Sequence, residues 1–120
     1  MRPTPLVLPE PAIVVDVGDV REVLHAGRAV VHLGPHDTPV LIIRTRKGIF
    51  AIESRCPHAG HPLTDGTARR TSIRCSQHGL EYDLVSGACR TRRNSRPAMT
   101  YRAWLDSDGH VRVAVPDEVR

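Results

Sequence analysis

The chain has 120 residues, of which 40% are apolar, and this is enough for one domain with one core. Four aromatic residues in all are too few for a nucleic-acid surface built on base stacking. Seventeen basic against thirteen acidic residues give a formal charge of +4, which allows an acidic partner. Three cysteines are too few for a secreted disulfide framework and enough for a metal site.

The first residues, MRPTPLVLPEP, are interrupted by prolines where a signal peptide needs an apolar stretch. No apolar run approaches the roughly 18 residues that span a bilayer. We therefore expect a cytoplasmic protein that binds neither membrane nor nucleic acid.

The chain alternates short runs of β-branched and apolar residues with residues typical of turns. This pattern is typical of a protein made of short β-strands. We predict one short helical turn, at Asp19–Leu24. The predicted strands are Ile13–Val17, Arg28–Leu33, Pro39–Arg46, Ile49–Glu53, Leu80–Leu84, Thr100–Leu105 and residues 111–115. The continuous apolar run PVLII, residues 39–43, favours a strand buried on both faces. This spacing predicts an all-β antiparallel sandwich or small barrel.

Between residues 54 and 79 the pattern changes, because potential metal ligands replace most of the apolar residues. Cys56 and His58, then Cys75 and His78, form C-x-H-x16-C-x-x-H. Two thiolates and two imidazoles suit a tetrahedral zinc or a 2Fe-2S cluster with both cysteines on one iron and both histidines on the other. Zinc modules usually have two cysteines close together in the sequence and two histidines close together. Here Cys56 is close to His58 and Cys75 is close to His78, which favours the 2Fe-2S cluster.

With these ligands and their flanks, CPHAGHPLTDG and CSQHGLEYDLVSG, the sequence resembles the Rieske family. The resemblance implies that Cys56 and Cys75 bind one iron of a 2Fe-2S cluster, and that His58 and His78 bind the other. It implies a sheet-rich base carrying a small cluster-binding subdomain at about 54–96. We expect residues 1–10 to be an extension and residues 11–120 to be the domain.

Members of the family in cytochrome bc complexes have a disulfide behind the cluster, and this sequence has His61 and Gln77 at the two cysteine positions. We expect His61 to be a bystander, and Gln77 and Leu80 to shield the cluster. Tyr82 keeps a tyrosine that can donate a hydrogen bond to a cluster sulfur, with core packing as its other role. Since Leu80 replaces a serine donor, we predict a potential in the lower part of the Rieske span of roughly −150 to +300 mV.

Ferredoxins of this family cover the cluster with a proline-rich segment, and here CRTRRNS precedes Pro97 instead. We predict that eight arginines between residues 69 and 102 form a basic collar near the cluster and attract an acidic partner. The collar residues are Arg69, Arg70, Arg74, Arg90, Arg92, Arg93, Arg96 and Arg102. We expect Cys89 to be a small, partly buried side chain and not a redox sensor.

The resemblance implies a monomeric one-electron carrier between an NAD(P)H-dependent flavoprotein reductase and a terminal oxygenase. Because the chain ends at Arg120, we expect no second domain with the two-histidine, one-carboxylate iron site of an oxygenase, and therefore no enzyme activity of its own. Two alternatives stay open. One is a bound small subunit of a larger reductase such as nitrite reductase, and the other is a zinc-stabilised interaction module.

Overall fold

A computed structural model describes residues 12–57, 60–77 and 79–116. Nine strands account for most of the regular structure in these ranges. The strands are β1 Ala12–Asp19, β2 Arg28–Leu33, β3 Thr38–Thr45, β4 Gly48–Glu53, β5 Thr67–Arg69, β6 Ser72–Arg74, β7 Glu81–Asp83, β8 Thr100–Leu105 and β9 His110–Pro116. A helical turn, α1 Val20–Val23, follows β1, and a 3-10 turn occupies Leu63–Asp65. The predicted all-β class is confirmed.

Six strands form an antiparallel sheet in the order β1-β9-β8-β4-β3-β2. Strand β3 pairs with β2 on one side and with β4 on the other, in registers that include Val31 opposite Val40 and Ile42 opposite Ala51. The connections within β2-β3-β4 and β8-β9 are short turns, as hairpins require. This six-stranded sheet is the base of the molecule.

Strand β3 contributes alternate side chains to two separate apolar clusters. Val40 and Ile42 pack in a cluster with Val111 and Val113 of β9, whereas Leu41 and Ile43 pack in a cluster with the segment that follows β4. All four β3 residues are buried, because successive side chains of a strand point to opposite faces and both faces are covered. The prediction of a strand buried on both faces is confirmed.

A second, three-stranded antiparallel sheet has the order β5-β6-β7 and includes the pairs Ala68 with Ile73 and Ile73 with Tyr82. It was not predicted, apart from the strand around Tyr82. Side chains of the base hold the segment that leads into it. Arg28 Nη1 donates hydrogen bonds to the carbonyl oxygens of Thr64 and Gly66, at 2.7 and 2.8 Å.

Within the described ranges, no helix has the length and apolar character needed to cross a membrane. Helix α1 starts after Asp19, whose carboxylate accepts a hydrogen bond from the Arg21 backbone N–H. This is the usual side-chain cap of a helix start.

Candidate metal centre

Two loops with the same backbone hydrogen bonds place Cys56 and Cys75. The N–H of each cysteine donates to the carbonyl five residues later, Cys56 to His61 and Cys75 to Leu80, both at 2.7 Å. The carbonyl of each cysteine accepts from the glycine four residues later, Gly60 at 2.7 Å and Gly79 at 3.0 Å. Both glycines have positive φ, 73° and 67°, which other residues adopt only at a cost. Two separate segments of the chain thus have the same backbone hydrogen bonds around a cysteine.

The two cysteine side chains lie in the apolar cluster that joins the base to the small sheet, and each is only 1% exposed. The other members of this cluster include Leu63, Ile73 and Leu80, which close around the thiols. Among the described residues the cysteines are not joined by disulfides. Two buried thiols presented by matched loops are suited to bind a metal group that needs thiolate ligands.

Tyr82 supplies a polar contact to one of these thiols. Its hydroxyl lies 3.4 Å from Cys56 Sγ, and its side chain is completely buried in the same cluster. Burial raises the pKa of Tyr82, and the hydrogen bond to Cys56 raises it further. The phenol therefore stays protonated and can donate to a thiolate at this position. The structure combines the two roles expected for Tyr82, because the side chain packs in the core and also reaches the sulfur.

The predicted ligands His58 and His78 lie outside the described residues. Within the described part of the chain, no three His, Cys, Asp or Glu side chains group closely enough to hold a metal ion. The donors that the structure places are therefore Cys56 and Cys75, and the histidines follow them by two and three residues in the sequence.

Three neighbours of the loops had predicted roles near the cluster. Leu80 is buried beside the cysteines, as a shielding residue would be. Gln77 is exposed. His61 is partly buried, and its backbone carbonyl closes the first loop by accepting from Cys56.

A groove of about 430 Å³ opens beside Cys56 and is lined by Arg55, Arg96, Pro97 and Met99, among other residues. Pro97 therefore lies next to the first cysteine loop. The Arg55 guanidinium is 3.4 Å from the Glu53 carboxylate. Neither Arg55 nor Met99 was singled out from the sequence, although Arg55 directly precedes a predicted ligand.

The arginines predicted to form one collar lie in different parts of the surface. Arg96 lines the groove at Cys56, Arg102 lines a second groove along β8, and Arg69 and Arg90 line a third between the two sheets. Arg74 Nε donates to the Gly79 carbonyl at 3.0 Å and so supports the second cysteine loop.

Arg90 is held by acidic neighbours. It forms ion pairs with Glu81 and Asp83, and its guanidinium also donates to the Thr71 hydroxyl at 3.1 Å. These contacts lower the pKa of Asp83, against the effect of its partial burial, and raise that of Arg90. Arg90 thus joins β7 to the turn between β5 and β6.

Cys89 is partly buried and packs against the cluster that contains the other cysteines. Burial acts to raise its pKa, but hydrogen bonds, chiefly from Thr91, hold the pKa below its usual value. Residue 89 forms an isolated β-bridge with Tyr82. Its position agrees with the predicted small, partly buried side chain.

Comparison with known families gives one match over most of the chain. Residues 13–102 match the Rieske 2Fe-2S domain. Among curated proteins, the iron-sulfur subunit of the toluene-4-sulfonate monooxygenase system of Comamonas testosteroni is 42% identical over 52 residues, which are 42% of this chain and 15% of that protein. The matches cover between 8% and 15% of the lengths of the curated relatives.

Solved structures share the fold at low sequence identity. A chain from the complex of reduced oxygenase and oxidized ferredoxin in carbazole 1,9a-dioxygenase superposes with a TM-score of 0.73 at 20% identity, covering 90% of this chain and 98% of that one. A chain assigned as the small subunit of an NADH-dependent nitrite reductase from Mycobacterium tuberculosis gives 0.76 at 16% identity, covering 88% and 97%.

Proposed function

Because the chain belongs to the Rieske 2Fe-2S domain family, we propose that it is a one-electron carrier between an NAD(P)H-dependent flavoprotein reductase and a terminal oxygenase. Membership in this family implies a 2Fe-2S cluster with two cysteine and two histidine ligands. When bound, such a cluster takes up and releases one electron. The residues of the chain hold the cluster, exclude water and present it to partners.

We assign Cys56 and Cys75 as the ligands of one iron, and His58 and His78 as those of the other. The observation that carries the assignment of the cysteines is the pair of matched loops, which bury two thiols in one apolar cluster. The assignment of the histidines rests on membership in the family. We also assign residues 11–120 to one Rieske domain, with the cluster-binding subdomain at about 54–96.

The names of similar proteins support the proposal that the chain works in an oxygenase system. One is a monooxygenase iron-sulfur subunit, and a chain of similar fold comes from a complex of an oxygenase with its ferredoxin. The arginines at the groove beside Cys56 favour an acidic docking surface on the partner, because opposite charges accelerate encounter.

The proposal is tested by adding the iron-loaded chain to a flavoprotein reductase with NADH, and using cytochrome c as the final acceptor. We expect cytochrome reduction to rise in proportion to the concentration of the chain. Cys75→Ser should lose both iron and this effect, whereas the matched variant Cys89→Ser should keep both. A chain that holds iron and sulfide but cannot pass electrons to any acceptor would refute the carrier role.

A second candidate is a permanently bound small subunit of a nitrite reductase, and the fold shared with the Mycobacterium tuberculosis chain favours it. Purification from the native host separates the two functions. A diffusing carrier should elute from gel filtration at the size of the single chain. Elution with a large subunit in fixed stoichiometry would establish the second candidate.

A further inference from the structure

A groove of about 820 Å³ runs between the base and the small sheet, and neither the family nor the cluster explains its charge. One wall comes from the end of β3 and the turn after it, and carries Arg44 and Arg46. The other wall comes from the β5-β6 hairpin, and carries Arg69 and Arg70. We call these four arginines and the space between them the arginine groove.

The four side chains are exposed, and none has an ion pair or a side-chain hydrogen bond to any residue in the described ranges. Glu81 is the one acidic side chain among the described lining residues, and it faces Arg90 at 3.6 Å. Arg90 is also paired with Asp83. The positive charge of the four arginines is therefore not balanced within this part of the chain.

The two walls are tied together by hydrogen bonds, so the fold keeps the four arginines along the same groove. Thr45 Oγ1 donates to the Arg70 carbonyl at 2.5 Å, which joins the end of β3 to the β5-β6 turn. Arg28 fixes the segment before β5 through the Thr64 and Gly66 carbonyls. Like charges held near one another repel, and a bound anion would offset this repulsion.

We propose that the arginine groove binds an acidic segment of a protein partner. Guanidinium groups on both walls can each take a carboxylate through paired hydrogen bonds, which suits an extended acidic peptide lying between them. The described lining residues include no aromatic side chain, so a nucleotide base would find no stacking surface there. The inference rests on the proposed function in one respect, since an electron carrier must meet protein partners.

The groove is separated from the metal centre by strand β6. The groove is lined by Ser72 at the start of this strand, and Cys75 follows its end, a distance of about 10 Å along an extended chain. The lining of the arginine groove includes neither Cys56 nor Cys75. The groove is therefore an anchoring surface beside the metal centre and not a part of it.

Binding of a fluorescein-labelled oligoglutamate peptide to the cluster-loaded chain, measured by fluorescence anisotropy at low salt, tests the proposal. The double variant Arg44→Gln, Arg69→Gln removes one charge from each wall. We expect about tenfold weaker binding, since each exposed guanidinium–carboxylate contact changes an equilibrium constant by up to about fivefold. The matched variant Arg93→Gln, Arg102→Gln lowers the net charge equally outside the groove and should change binding less than about twofold.

Equal weakening in both double variants would overturn the proposal, because net charge alone would then explain the binding. Tighter, groove-dependent binding of inorganic pyrophosphate or of an oligouridine RNA would also overturn it and identify a phosphate site. Iron content and the electron paramagnetic resonance (EPR) spectrum should be the same in all variants. A failure of the proposed electron-carrier function would appear in the cytochrome c assay described above and not in peptide binding.

Discussion

We predict that the Tyr82 hydroxyl raises the reduction potential of the cluster, and Tyr82→Phe isolates its contribution. The hydroxyl lies 3.4 Å from Cys56 Sγ in a fully buried position. In the proposed assignment this sulfur binds the cluster, and reduction adds one negative charge to the cluster. The hydrogen bond should therefore stabilise the reduced form more than the oxidised form. Phenylalanine fills the same space without the donor and should therefore lower the midpoint potential.

The size of this shift follows from the strength of one buried hydrogen bond, about 1 kcal/mol net. For a one-electron couple, about 1.4 kcal/mol corresponds to about 59 mV, so we expect a decrease of about 40 mV. Potentiometric titration followed by visible circular dichroism measures it. Tyr101 is partly buried against the apolar cluster on the other face of the base. Tyr101→Phe is therefore the control and should leave the potential unchanged. An unchanged or higher potential in a folded, cluster-loaded Tyr82→Phe variant would refute this reasoning.

Three further predictions concern the scaffold. Gly87→Ala should lower the free energy of unfolding by about 3 kcal/mol in urea titrations, because φ is 81° and an added Cβ would lie 2.0 Å from a backbone oxygen. Gly109→Ala, with φ of 80° and open space, should cost only about 1–2 kcal/mol, and equal losses would contradict the steric argument. Arg28→Met removes two hydrogen bonds to part-buried carbonyls and should cost about 1–3 kcal/mol by the same titration; no loss would show that water replaces them. The hydrogen bond to Asp16 raises the pKa of His110 above 6.5, so this pairing stabilises the fold below that pH and the contribution is lost as pH rises through the folded-state pKa. NMR titration should show a lower His110 pKa in Asp16→Asn, and an unchanged pKa would disprove the pairing.

Local sequence patterns predicted most of the base. Strands β2 and β8 have the predicted bounds, and the burial of β3 on both faces follows from its apolar run. These elements are long enough for their apolar pattern to identify them. The predicted helical turn at Asp19–Leu24 is found as α1, with Asp19 as its cap.

The small sheet could not be predicted in the same way. Strands β5 and β6 have three residues each, too short for alternation to be visible, and they exist because they pair with each other and with β7. The arginine groove was predicted only in part for a related reason, since the predicted collar included Arg69 and Arg70 but not Arg44 and Arg46. Arg44 and Arg69 are far apart in the sequence, and only the packing of the two sheets brings their walls together.

The proposed electron-carrier function depends most on two buried thiols serving as cluster ligands. Iron and acid-labile sulfide analysis, combined with EPR of the dithionite-reduced protein, tests this directly. We predict two irons and two labile sulfides per chain, and a rhombic signal that appears on reduction and is absent from Cys56→Ser. One zinc per chain, without labile sulfide or a signal on reduction, would contradict the account and establish a zinc-stabilised module.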